Sequence, residues 1–402
     1  MALQDTYFYN TSNAGTDRYL QISFAEMLIR TNPNGMCPLF GLTSMLPEAT
    51  ARAVEHGYFT KAMVFPSVTL TAAVADDTVV NFTVASTANL VAGQMLRAQS
   101  TGEIVRVGTV TDATHIAVLR GVGQIAAGAI SNSVKLYSVG NSFEQGSKAP
   151  SSRLINPTRV LNYTQIFRNN WALPGTLTAV NPIVGDSLVA ESRADCGFFH
   201  GADIETAFLF GQRSGQMVNN QYLTTMDGIV ETVRRLAPAG NTNTAGATTN
   251  YTQLQTYLNP VFDTQVNGRN GNRRMLLTGG RGRTVINDIG RLSGQYFIVD
   301  GQTDFGLQFQ TFKTSRGEFK MIEHPMFNTN DDWKGMAIAV DLDSIRVPYL
   351  RKTISREYGM DGKYVQDGQD AVGGNLTTEL TMEIINPSAF AVIYGLTAGA
   401  AG

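Results

Sequence analysis

Hydrophobic and polar positions change rhythm along this chain, and each change predicts a different kind of element. Between 66 and 140 the period is two. Val79–Val84, Glu103–Val110, Thr114–Arg120 and Val134–Val139 alternate apolar with polar residues and are rich in β-branched side chains. Alternation puts every second side chain on one face of a strand, and turn residues at roughly 8–12-residue spacing predict a small β-sandwich or barrel. About 75 residues is enough for one such module, near the lower limit for independent stability. Its position predicts a domain inserted into a pre-existing scaffold. Arg120 before Gly121 reads as a solvated turn, not a nucleic-acid contact.

Before this module, residues 1–65 predict an N-terminal arm. Leu20–Ile29 has partial helical spacing, and Pro38, Gly41 and Pro47 interrupt the next stretch. After the module, 141–182 carries Pro150, Pro157, Pro174 and Pro182 and few apolar runs. Two short strands are predicted there, Arg159–Thr164 and Trp171–Leu173, in a hairpin-like segment that needs an outside partner to be ordered.

From Asp186 the rhythm turns helical. Phe198, Phe199, Ile204, Ala207, Phe208, Leu209 and Phe210 surround the axis, which predicts a helix buried on several sides. Gly197 and Gly201 predict either close backbone packing or a bend. Residues 227–236 predict a short helix, 238–250 a mobile polar loop, and Asn250 the cap of a helix that breaks at Pro260.

The remaining third mixes strands and helices. Strands are predicted at Met275–Thr278, Gln295–Val299, Leu307–Lys313, Glu318–Glu323, Gly335–Asp341, Ile345–Leu350 and Leu376–Ile385, with a helix at Thr284–Leu292. The turn Thr314–Gly317 joins two of those strands into a hairpin. Irregular interspersion predicts an α+β fold, not a doubly wound parallel sheet.

Composition narrows the partners. A net charge of −2 with 16% charged residues offers no broad basic field for nucleic acid, and gives little repulsion between copies. Two cysteines, Cys37 and Cys196, cannot make a disulfide framework. The N-terminal residues lack the character of a signal peptide. No apolar run is long enough for a membrane-spanning helix. A soluble protein made inside a cell is expected, with no cofactor and no membrane.

No chemistry stands out. His56, His115, His200 and His324 are scattered, so a metal site is not expected. Asp203 and Glu205 point to different helix faces, and Asp341 and Asp343 read as solvated acids at a strand end. Residues 279–283 (GGRGR) follow a strand and precede a helix but lack the spacing of a phosphate-binding loop. They read as a flexible loop whose Arg281 and Arg283 could pair with acidic groups of a neighbouring subunit.

Pro38–Leu46 (PLFGLTSML), Glu144–Pro150 (EQGSKAP), Asn162–Arg168 (NYTQIFR), Leu173–Thr176 (LPGT) and Asp203–Gly211 (DIETAFLFG) carry a resemblance. In that order they resemble the major capsid proteins of tailed bacteriophages with the Hong Kong 97-type fold, in the branch typified by phage SU-ten. The resemblance implies an N-terminal arm (1–65), an extended loop (141–182) and a peripheral domain with a long spine helix (183–223). It also implies a mainly axial domain (224–350) and a return to the peripheral domain (351–402), with the module at 66–140 added.

It implies further that the chain is a non-enzymatic shell subunit. Pentamers and hexamers would close an icosahedral virion around double-stranded DNA without sequence-specific binding, assembled in the host bacterial cytoplasm. Scaffold, portal and decoration proteins are further partners. Intersubunit contacts are expected from Lys148, Arg153, Arg159, Gln165, Ile166, Phe167, Arg281 and Arg283. Lys148 is the candidate lysine for the Lys–Asn cross-link of some related shells, with no acid or Asn partner identifiable.

Two other functions compete. An encapsulin-like compartment shell shares the fold. A carbohydrate-binding or adhesin protein would use the 66–140 module, where only Phe82 and Tyr137 offer aromatic rings.

Overall fold

The structure is a computed structural model and describes residues 49–61, 66–148, 156–179, 187–246, 248–264, 273–292, 298–304, 307–359 and 370–398. The Leu20–Ile29 stretch, Arg153 and the first residues of the predicted Gln295–Val299 strand lie outside them. The chain divides into two compact units: Tyr58–Val160, and a body formed by the residues up to Gly57 with those from Leu161 onward. It passes between them within the strand Glu55–Thr60, returns within Thr158–Tyr163, and these two strands pair.

In the smaller unit the alternating segments form a six-stranded sheet. Its order is Ser67–Thr69, Lys135–Asn141, Gln94–Ala98, Ile104–Val110, His115–Leu119, Asn81–Thr83. The first and last strands meet: Thr71 N–H donates to Thr83 O and Ala85 N–H to Thr69 O, both at 2.9 Å. Closure into a barrel leaves no free edge, which removes the commonest route to unwanted strand pairing. Inside lie Leu96, Val105, Val107, Ile116, Leu136 and Phe82.

Arg120 is not a solvated turn. It is buried, holding Glu103 by two hydrogen bonds (Nε–Oε1 2.9 Å, Nη2–Oε2 2.6 Å) with its guanidinium 5.5 Å above the Phe82 ring. The planar fork satisfies both carboxylate oxygens, the condition for tolerating a buried charge pair.

The body is built on a mixed seven-stranded sheet. Its order is Thr242–Thr244, Ala391–Tyr394, Ala337–Val340, Arg273–Thr278, Glu318–Glu323, Leu307–Lys313, Ile298–Asp304. The pleat sorts its side chains. Met275, Leu277, Ile338, Val340 and Val392 face one core with Ile204 and Phe208 of the long helix and Ile229 and Val233 of the next. Leu276, Phe319, Ala337, Ala339 and Ile393 face the other, with Leu254, Leu258, Val285, Ile286 and Ile289 from two helices. Helices therefore cover both faces, which is why the central strands read as continuous apolar runs.

A second, four-stranded sheet runs Ala49–Thr50, Pro348–Tyr358, Ala371–Leu380, Gln165–Pro174. The predicted hairpin at 159–173 does not form. Thr158–Tyr163 pairs with Glu55–Thr60, while Gln165–Pro174 runs antiparallel to Ala371–Leu380, Gln165 opposite Leu380. The segment thus finds its partner near the far end of its own chain. The return segment also divides, because Ala391–Tyr394 joins the seven-stranded sheet instead.

The long helix spans Leu188–Phe210, capped by Ser187, whose hydroxyl accepts from Ala190 N–H. At 1.5 Å per residue its 23 residues extend about 35 Å. It runs unbroken through Gly197, where an added Cβ would meet nothing within 4 Å, so neither tight packing nor a break explains that glycine. Burial follows a single stripe, Cys196, His200, Ile204 and Phe208, and Phe199 is 59% exposed. The prediction of burial on several sides is corrected to an i, i+4 stripe widened by Glu205 and Leu209.

Within the polar stretch 238–250, residues 241–244 are pinned rather than loose. Thr242–Thr244 lies parallel to Ala391–Tyr394, and the buried Asn241 donates to the carbonyls of Ser388 and Phe390. Asn250 caps Tyr251–Leu258 with a full capping box to Gln253, and the chain continues past Pro260 only as a tighter turn.

Candidate assembly surface

Three of the histidines stitch elements of the body together. His200 on the long helix sits between two strands of the four-stranded sheet, Nδ1 2.7 Å from Asn169 Oδ1 and Nε2 2.7 Å from Thr378 Oγ1. Asn169 gives its NH₂ to Asp203 Oδ2 at 2.7 Å, so its Oδ1 is the acceptor and the ring proton belongs on Nδ1. Burial pushes the His200 pKa down, against the opposing pull of Asp203. The neutral ring is the form this site holds.

The same helix reaches the seven-stranded sheet through Glu205, whose Oε1 lies 2.7 Å from Nε2 of the buried His324. His324 Nδ1 accepts Met326 N–H, which leaves Nε2–H to donate to Glu205. Asp203 and Glu205 thus serve separate partners, as their helical spacing predicted. His56 contacts Glu383 at 3.2 Å.

Where the long helix ends, the buried Asp227 gathers the chain. Its carboxylate accepts Arg213 N–H at 2.7 Å and Arg235 Nη2 at 2.6 Å, while its backbone N–H donates to Asn162 Oδ1 at 2.8 Å. Asn162 in turn donates to the carbonyls of Asp227 and Met382. Between Arg213 and Asp227 the chain forms a β-hairpin that periodicity did not reveal: Ser214–Val218 pairs with Gln221–Thr225. Its turn residues Asn219 and Asn220 both have positive φ (50° and 60°), the conformation of a tight two-residue hairpin turn. The Asn-Asn pair was the available signal.

The residues expected to contact neighbours fall into two groups. Lys148, Arg159, Ile166 and Arg281 are exposed. Phe167, by contrast, is buried in the core beside the long helix, and Gln165 uses its Oε1 to accept Met226 N–H at 3.1 Å. Both side chains make contacts within their own subunit. Arg283 is also engaged internally, with Gln310 Oε1 at 3.0 Å and Glu323 Oε2 at 3.4 Å.

The residues around Arg283 are not a loop, since the helix begins at Gly280. Asn328 Oδ1 accepts Gly280 N–H at 2.8 Å and is itself steadied by Glu323. A side-chain oxygen therefore takes the place an incoming phosphate would need.

No group of three or more potential metal ligands occurs among the described residues, and none of their helices is long and apolar enough to cross a membrane.

Comparison with known proteins supplies what the geometry alone lacks. The profile of the SU10 major capsid protein family matches residues 4–397. The chain belongs to that family. It is 36% identical over 387 residues to the major capsid protein of Pseudomonas phage PaMx41, covering 93% of this chain and 92% of that one. It is a phage major capsid protein, a structural subunit of a multi-subunit shell, and its location is the virion capsid. Among solved structures, Gordonia phage Cozz aligns over 100% of this chain and 99% of its own at 14% identity (TM-score 0.48). The holo-SrpI encapsulin complex of Synechococcus elongatus PCC 7942 aligns over 61% and 80% at 11% identity (TM-score 0.41).

Proposed function

We propose that this chain is the self-assembling subunit of an icosahedral tailed-phage head with the Hong Kong 97-type plan, grouped as pentamers and hexamers. The observation that carries the reading is the family match along nearly the whole chain, residues 4–397. In this reading the long helix Leu188–Phe210 is the spine, and the four-stranded sheet is the peripheral layer. The seven-stranded sheet with its helices is the axial domain. The ribbon of Glu55–Thr60 and Thr158–Tyr163 is the stem of the extended loop, with the barrel inserted in it.

Lys148, Arg159, Ile166 and Arg281 remain candidate contacts to neighbouring copies because they are exposed. Each contact can be modest, since closure repeats it many times. Double-stranded DNA is enclosed rather than read, consistent with a net charge of −2. Assembly takes place in the host cytoplasm, with scaffold, portal and decoration proteins as further partners.

The adhesin reading is weakened, because Phe82 lies at the centre of the barrel and only Tyr137 of the two aromatic rings is exposed. Electron microscopy and light scattering of the expressed chain, alone and with a scaffold, test the proposal. Closed particles of uniform diameter are expected; a protein that stays monomeric under every condition overturns it.

A further inference from the structure

The hairpin Ser214–Thr225 combines two properties that conflict in an isolated subunit. It contains no charged residue, and its apolar side chains are exposed on both faces. Met217 (67% exposed) and Tyr222 (55%) are directly opposite each other on one face. On the other, Val218 (45%) and Leu223 (52%) lie one residue along on each strand.

The base of the hairpin is tied down. Thr224 Oγ1 donates to Thr164 O at 2.5 Å, Thr225 Oγ1 to Gln212 O at 2.6 Å, and Arg213 reaches Leu161 O with its guanidinium 5.7 Å over the Tyr163 ring. Within the hairpin, the Tyr222 ring lies over Gly215, where an added Cβ would come within 2.5 Å of the phenolic oxygen. Five residues per strand carry the tip about 17 Å from that base. A two-stranded hairpin is marginal in water without a third layer on at least one face.

We propose that this hairpin is an intersubunit finger that inserts its tip into a second copy of this chain. The proposal rests on the shell-subunit reading. In a shell every hairpin has copies of the same chain beside it, at a local concentration no other partner matches. The four side chains together expose roughly 400 Å² of apolar surface, divided between the two faces and comparable to the patches that are often functional on soluble monomers. That is about half of the ~800 Å² one partner contributes to a standard interface, fitting one element of a larger contact rather than a complete dimer interface. An uncharged finger also suits a chain with only 16% charged residues, since no buried charge would be left unpaired on either side.

The test uses the full chain in assembled particles. A photo-crosslinking amino acid at position 222 is activated in particles grown from a mixture of isotopically heavy and light subunits. Heavy–light crosslinked peptides are expected. Adducts that are only intrachain, adducts to another virion protein, or no adduct in well-formed particles would overturn the proposal. In parallel, the variant M217S/V218T/Y222S/L223T should unfold as the wild type does while its assembled fraction falls at least tenfold. Assembly at the wild-type level would overturn the finger, and if this variant misfolds the crosslink decides. Absence of particles from the unsubstituted chain would instead count against the shell reading.

Discussion

The barrel and the body solve the problem of exposed strand edges in opposite ways. The barrel's six strands come from one continuous run of chain, Ser67 to Asn141, and close on themselves, so its backbone donors and acceptors are used internally. The body pairs Gln165–Pro174 with Ala371–Leu380, leaves most of Pro348–Tyr358 paired on one side only among the described residues, and projects an apolar hairpin. A closed sheet ends association; an open one invites it. In the proposed shell the difference would divide labour, with a closed barrel on one hand and an open-edged body offered to neighbouring copies on the other.

The sharpest way to break that comparison is to remove the barrel's own support. Arg120→Met leaves Glu103 buried without its partner and should cost about 3–5 kcal/mol. Denaturant unfolding followed by hydrogen exchange should show the 66–142 amides losing protection while the body keeps its own. Simultaneous loss in both units would mean that they are one cooperative system.

Next in size is the contrast between two adjacent residues of the body. Phe167→Ala opens a cavity under the long helix and should lower the unassembled subunit's stability by about 3 kcal/mol. Ile166→Ala, on the exposed side of the same strand, should cost under about 1 kcal/mol there and act on assembly instead. Equal losses in chemical denaturation would contradict the inward and outward assignment.

A smaller effect follows from His200. Its folded pKa is depressed by burial, so the unfolded chain takes up its proton first as pH falls from 7 through the ordinary histidine range. Stability of the body should therefore decline in that interval. His200→Gln should flatten this limb, seen as a melting temperature that varies less between pH 7 and 5. An unchanged pH slope would remove His200 as its source.

The smallest effect belongs to the barrel. Asp112, held near pKa 2 first by Thr114 N–H and then by the His115 side chain, contributes stability above the ordinary carboxylate pKa. That contribution is lost as pH falls from about 4 towards 2. Asp112→Asn should shift the barrel's acid transition by less than any change above.

Local rules were enough for the elements whose partners are near in sequence. The alternation at Glu103–Val110 and Thr114–Arg120, the Asn250 cap and the Leu307–Lys313/Glu318–Glu323 hairpin all appear in the structure as their patterns predicted. The α+β character and the long helix were legible for the same reason. Not legible was which strand meets which across long separations in sequence, because period-two patterning fixes a strand's buried face but not its neighbour. The reading of Gln165–Phe167 as an intermolecular grip met that limit: the strand pairs with Ala371–Leu380 of the same chain and turns Phe167 inward, while Ile166 stays exposed.

The candidate surface divides along the same line. Composition alone makes Ser214–Thr225 uncharged, and Asn219-Asn220 is a pair that can turn tightly. Packing is what turns Phe167 inward and leaves Met217, Val218, Tyr222 and Leu223 outside. Hydrophobicity is a property of a residue, whereas burial belongs to whatever the rest of the chain brings to cover it. For Phe167 the chain supplies the long helix. For the hairpin tip the described residues supply only partial cover, and that shortfall is the physical reason to look for a second copy.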